Sequence, residues 1–429
     1  MRRIAVLDAP SNLGLRPPTA TSVPGCYKAP GALRDHKLVD RLKARDAGCL
    51  TPPRYDPGDW RPGDGVAHAA DIAGYSVQLA DRIGAIVAAG EFPLILGGDC
   101  SVLLGAAVMV GRLDGRYGLV FVDGHSDFRH PGNASYVGAA AGEDLALVTG
   151  RGQPDLTGIE GRRPYFRDVD VAVLGIRPQD EYRIELQAAG IAYRAVPELR
   201  SDGAARSAQW ARQVLQDCDG YWVHIDVDVL DPAVMPAVDA PDPGGIAYAE
   251  LELLLAGLVN TPRCLGVELT VFDPDYDPDG QYAAELVEML VTGLAPVATT
   301  PTDGAGQGGS RRAKVPMARS TFADFAPSPR RAPEPREALE ARAAPEARVV
   351  PEARTAPGAR VAPEARVAPS AGPAPVTEGD TATGDGAESK ATAPEPVTVP
   401  TQPGPPDEPP PARRQVDHGP GKLRRRPPS

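Results

Sequence analysis

Apolar runs of four to eight residues alternate with amphipathic stretches of helical length through the first 296 positions of the chain. The short runs are rich in β-branched and aromatic residues and predict strands at 4–7, 93–96, 119–122, 169–175, 191–196, 221–225 and 265–272. Between them, apolar residues recur at helical spacing. The clearest case is 71–89, where Ile72, Tyr75, Leu79, Ile83, Ile86 and Val87 form one stripe. Further helices are predicted at 31–44, 101–111, 180–189, 204–216, 249–258 and 281–294. Strand and helix alternating in this way imply an α/β fold, with a mostly parallel sheet covered by helices on both faces.

The pattern stops near residue 297. Of 48 prolines, 25 fall in the last 129 residues, and the only aromatic residues there are Phe322 and Phe325. Such a composition buries too little apolar surface to offset chain entropy, so 297–429 is expected to be a disordered tail rather than a second domain. A six-residue repeat runs through Pro345-Glu-Ala-Arg348, Pro351-Glu-Ala-Arg354, Pro357-Gly-Ala-Arg360 and Pro363-Glu-Ala-Arg366, and proline at that period favours extended chain. A basic end, Lys422 to Arg426, offers a contact for an acidic surface, but nothing in the tail specifies its partner.

Two acidic clusters change the picture from fold to chemistry. Asp123-Gly-His125-Ser-Asp127 follows the strand-like run 119–122, and Asp226-Val-Asp228 follows 221–225. In an open α/β sheet, the carboxyl ends of the strands form the ligand crevice, so both clusters are expected at one pocket. Carboxylates crowded there repel one another, and hard divalent cations, which also accept imidazole, relieve the repulsion. Period two in extended chain would put Asp226 with Asp228, and His125 with Asp127, on one face. Asp, Gly and Pro are also ordinary turn residues, which is the plainer reading of either cluster alone. A third strand end carries Gly97-Gly98-Asp99-Cys100-Ser101 and opens a helix, but no Gly-Lys-Ser/Thr follows, so it is not a Walker phosphate loop.

Taken together, Gly97 to Ser101, Asp123 to Asp127 and His224-Ile-Asp226-Val-Asp228-Val-Leu-Asp231-Pro232 resemble, in order and spacing, the signature segments of the arginase, agmatinase and formimidoylglutamase (ureohydrolase) family. Ala29-Pro-Gly-Ala-Leu-Arg34 is similar to an early segment of the same family, and the resemblance covers residues 1–296. It implies a three-layer α/β/α fold with a mostly parallel sheet of about eight strands, and two divalent metal ions at the carboxyl edge. Manganese is the ion the family implies. By motif, Asp123 and Asp226 bridge the two ions, Asp127 and position 100 complete one, and His125 and Asp228 complete the other. The implied reaction is hydrolysis of a linear amidine or guanidine C–N bond by a hydroxide between the metals, with Asp127 relaying the proton.

The sequence departs from the family pattern at three places. Cys100 stands where the family has a metal-binding histidine; a ligating thiolate shifts preference towards zinc, iron or cobalt, and a buried cysteine that binds no metal is the plainer alternative. In the stretch Gly138 to Asp144 the family's proton-shuttling histidine is missing, leaving His130 and Glu143 as candidates for that role. Around Gly266 to Pro274, Glu268 and Thr270 are the candidates for contact with the substrate's guanidinium group. Arg129, beside the metal cluster, is similar to the arrangement in formimidoylglutamases and suits a carboxylate on the substrate. Arginine, agmatine, and guanidino or formimino acids are therefore the expected substrates. A catalytically degenerate binding protein, or a two-metal phosphoesterase, is the alternative.

The formal charge of −12 and pI near 5.1 argue against nucleic acid binding by the folded part. Five cysteines without a CxxC pair, no signal-like N-terminal run and no membrane-length apolar run lead to the expectation of a cytoplasmic protein. The resemblance adds a homo-oligomer, trimeric or hexameric.

Overall fold

A computed structural model describes residues 2–19, 21–134 and 138–299. The expected tail therefore lies outside the described residues, apart from 297–299, which belong to a short helix, Ala295–Thr299. Eight strands form one sheet: β1 (Ile4–Ala9), β2 (Arg45–Cys49), β3 (Phe92–Gly97), β4 (Tyr117–Val122), β5 (Val171–Leu174), β6 (Ala192–Arg194), β7 (Gly220–Asp226) and β8 (Cys264–Thr270). Their order is β2-β1-β3-β8-β7-β4-β5-β6, and every pairing is parallel.

Side chains alternate between the two faces of each strand, so β1 sends Ile4 and Val6 into one core and Ala5, Leu7 and Ala9 into the other. The first core is closed by helices Ala204–Val214, Tyr248–Val259 and Gln281–Gly293. The second is closed by Ala69–Ala88, Leu103–Gly111 and Asp144–Val148. The result is the three-layer α/β/α architecture, and the two-sided burial explains why most strands read as unbroken apolar runs.

Two local differences from the sequence pattern have clear causes. Strand β2, Arg-Asp-Ala-Gly-Cys, was not foreseen because it is a half-exposed edge strand with no apolar alternation. The helix expected over 31–44 is instead two pieces, Ala29–Asp35 and Leu38–Arg41, separated at Lys37, whose φ of 61° cannot continue a right-handed helix. Among the described residues, no helix is long and apolar enough to cross a membrane.

Candidate metal centre

The four central strands β3, β8, β7 and β4 are consecutive in the sheet, and all three sequence clusters leave from their carboxyl ends. Register pairs Val122 with Ile225 and Asp226 with Thr270, which brings Asp123, Asp226 and Thr270 to one level. Gly98 is required where β3 ends: a Cβ there would stand 1.6 Å from the Ser11 carbonyl oxygen. Asp99 then accepts hydrogen bonds from the Ser101 amide (2.8 Å) and the Ser11 hydroxyl (2.8 Å), fixing the turn that presents Cys100. Asp99 is thus a structural cap, and Cys100 is the residue of that motif that reaches the site.

Asp123, His125 and Asp228 form an outer cluster at the cavity wall. His125 Nδ1 lies 2.8 Å from Asp228 Oδ2, and its Nε2 lies 3.2 Å from Asp242 Oδ2. The other Asp228 oxygen accepts from the Gly124 amide (3.1 Å), while Asp123 Oδ1 accepts from the His125 amide (2.6 Å). Asp123 Oδ2 is buried without a partner. Neither cluster keeps the extended geometry expected of it. Asp127 has a φ of 42°, and Val227–Val229 is a 3-10 turn, because these residues bend over the sheet edge instead of prolonging the strands. His125, Asp127, Asp226 and Asp228 nevertheless all face one cavity. Val271, also on its wall, has a φ of 73°, a strained value for a β-branched residue of the kind that gathers at functional sites.

Arg177, absent from the sequence reading, organises this edge. Fully buried, it donates to the carbonyls of Asp228 (2.8 Å), Leu230 (3.1 Å) and Asp242 (2.7 Å), tying the Asp228 turn to the loop carrying Asp242.

Cys100, although buried, is also on the cavity wall; its Sγ donates to Asp226 Oδ2 (2.9 Å) and lies 3.1 Å from Thr270 Oγ1. Behind it stand Asp144 and His224, both fully buried. His224 Nδ1 lies 2.8 Å from Glu268 Oε1, and Phe121 stacks on the imidazole ring at 4.8 Å.

The electrostatics are those of a site short of positive charge. Burial pushes Asp123 well up, and Asp127 and Asp228 beside it push it further. Asp226 and Asp144 are likewise raised by burial and then by neighbouring carboxylates. Asp127 rises to about 7, mainly by burial. Burial works against the charged form of His125, but the bonded Asp228 and the other carboxylates outweigh it and carry His125 up to about 10. Burial and the carboxylates also hold the Cys100 thiol high. Cations would reverse these penalties, and oxygen, nitrogen and sulfur donors are all in place to receive them, so the residues fit divalent metal ions.

The cavity, about 600 Å³, is also lined by Arg16, Arg129, Asp180 and Tyr182. Of the residues expected to act on substrate, Arg129 lies on its wall, against Gly142. His130 does not: its Nδ1 accepts from the Gly132 amide, and its ring packs edge-on against Phe128. Glu143 is buried beside the wall, where Oε1 accepts from the Gly138 amide (2.7 Å) and burial raises its pKa to about 7. Glu268 and Thr270 share a strand face as expected, but that face lies beneath the cavity, so one meets His224 and the other Cys100. Asp144 and His224 were not singled out as site residues. The available signal was period two along β7, which places His224 on the same face as Asp226.

The Arginase family model matches residues 2–294. The chain belongs to the arginase family. Its relatives include the arginase of Brevibacillus brevis, 32% identical over 296 residues (67% of this chain, 96% of that protein). The formimidoylglutamase of Chromobacterium violaceum is 28% identical over 255 residues (59% and 77%). The crystal structure of arginase from Bacillus caldovelox superposes with a TM-score of 0.61 at 25% identity, covering 69% of this chain and 99% of that one. For this arginase-family chain, the matched region coincides with the α/β fold and contains every candidate ligand described above.

Proposed function

We propose that the chain hydrolyses a linear C–N bond of a guanidino or formimino compound bearing a carboxylate, using two divalent cations. The carrying observation is the convergence of His125, Asp127, Asp226 and Asp228 on one cavity, at the ends of adjacent strands and above the buried Asp123. Asp123, His125, Asp127, Asp226 and Asp228 would hold the ions. Bound cations of this kind lower the pKa of water to about 7 and so supply a nucleophile strong enough for a resonance-stabilised carbon.

The chain's own residues supply the remainder. Asp127, on the cavity wall beside the other carboxylates, can take a proton at one stage and return it to the leaving nitrogen at another. Glu143 stands behind the wall and assists only through the loop that it holds. Arg16 and Arg129 line the cavity and form no ion pair among the described residues; Arg16 stacks on the Trp60 ring at 3.9 Å, and Arg129 is the guanidinium best placed for a substrate carboxylate. Val271 and Ala141 give the cavity an apolar wall that limits water around the reacting carbon.

The test is direct. Purified full-length protein is loaded with manganese, zinc, cobalt or iron and offered arginine, agmatine, and guanidino and formimino acids, with urea, ammonia and formamide as readouts. Release of product from an acidic substrate is expected, and its absence with every metal would remove the enzymatic reading. Absence of catalysis with fewer than one tightly bound ion per chain would favour a binding protein, a reading motivated by the loss of two family histidines, one at Cys100 and one in the stretch Gly138 to Asp144.

A further inference from the structure

We propose that Cys100, on the cavity wall, and Asp144 and His224, buried behind it, form a metal site of their own, taking a borderline-soft divalent ion such as zinc or cobalt. One thiol sulfur, one carboxylate oxygen and one imidazole nitrogen from these residues all lie within 4.8 Å of one another. That donor set is the one zinc accepts, and ligand atoms around a tetrahedral ion stand roughly 3.5 Å apart.

Three observations raise the cluster above a chance meeting of polar groups. Neither buried carboxylate oxygen of Asp144 has a hydrogen-bond partner of good geometry, the adjoining Leu145 amide supplying only a weak interaction, and His224 Nε2 is buried without a partner. The closest approach between them, His224 Nε2 to Asp144 Oδ2, is 3.7 Å, too long for a hydrogen bond. Unpartnered buried groups of this kind are destabilising, and a shared cation satisfies all of them together.

The histidine is also aimed. Its Nδ1 is engaged by Glu268 at 2.8 Å, and Phe121 stacks on its ring within 15° of parallel. With the proton on Nδ1, the lone pair of Nε2 points at Asp144 and Cys100. A carboxylate behind a histidine is the usual support for an imidazole that binds metal. Glu268 and His224 are register partners on β8 and β7, so the sheet itself holds this pair. Cys100 connects the two levels, because it lines the cavity itself and its sulfur contacts Asp226 there.

The site is tested without substrate, so its fate is separate from that of the hydrolase reading. Metal-depleted full-length protein is titrated with cobalt(II), and the thiolate-to-cobalt charge-transfer absorption is followed. The band is expected in the wild type, lost in Cys100→Ser, and retained in His125→Ala, which removes the imidazole of the outer cluster. X-ray absorption on zinc-loaded His125→Ala is expected to show one sulfur and one imidazole around the ion, and His224→Gln is expected to weaken cobalt binding at least about tenfold. No thiolate band in the wild type would overturn the proposal. Sulfur without imidazole in His125→Ala would also do so, leaving Cys100 as a ligand of the outer ions alone. Product release without the band would keep the hydrolase and dismiss this site, and the band without product would do the reverse.

Discussion

The outer cluster, Asp123, His125 and Asp228, and the inner one, Cys100, Asp144 and His224, lie at the same end of the same sheet and are built oppositely. In the outer cluster every side-chain polar atom but the buried Asp123 Oδ2 is engaged by the protein: the side chain of His125 is 26% exposed, and it spans Asp228 and Asp242. In the inner cluster the side chains of Asp144 and His224 are 0% exposed, and the atoms that face one another have no partners. The outer group therefore holds its shape through protein contacts and remains open to water, as a site for exchangeable substrate and water should. The inner group lacks such satisfaction, which is the condition of residues arranged around something else.

The largest effect expected from disturbing this contrast is on the outer cluster's scaffold. Arg177→Met would strip donors from the carbonyls of Asp228, Leu230 and Asp242 while filling similar volume. Stability should fall by about 3 kcal/mol or more, read as a lower denaturant midpoint at unchanged slope. A variant as stable as the wild type would mean that protein contacts do not set the outer geometry.

Next in size, Asp228→Asn removes the charge that His125 and the Gly124 amide share. Calorimetric titration should show the outer ion weakened by about a hundredfold, with the cobalt–thiolate signal of the inner cluster intact. Equal loss of both would make the two clusters one cooperative site. Glu268→Gln is the complementary change. It leaves the strands paired but weakens the grip on His224 Nδ1, so inner-site affinity should drop about tenfold while outer binding holds.

How much of this could be read along the chain follows the same division. The outer residues were legible because each sits within a short motif directly after an apolar strand, and strand ends are where α/β sheets place ligands. Cys100 was legible for the same reason, as the odd member of its motif. The inner partners were not. Asp144 opens a short helix after an Ala/Gly-rich loop, and nothing local says that it folds under the sheet edge. His224 lies in a strand that reads as ordinary core, and its orientation depends on Glu268, 44 residues later, through the β7–β8 pairing. Arg177 was equally hidden, since its partners are backbone carbonyls, which leave no mark in side-chain pattern. Glu268 and Thr270 were read on the correct strand and face. Only the depth was missed, because sequence periodicity assigns a side of the sheet without saying how far below the cavity a residue stands.

The smallest effect separates the clusters kinetically. When protein loaded with cobalt at both levels is mixed with excess chelator, the outer ion should leave first, since His125 is reached from the cavity without opening the fold. Release from the inner cluster must break the hold of Asp144 and His224, which are fully buried behind the cavity wall, and each 1.4 kcal/mol of opening free energy slows the loss about tenfold. Two phases at least about tenfold apart are expected, with the thiolate absorption decaying only in the slow one. Decay of that absorption in the fast phase would place Cys100 with the outer ions and join the two clusters into a single centre.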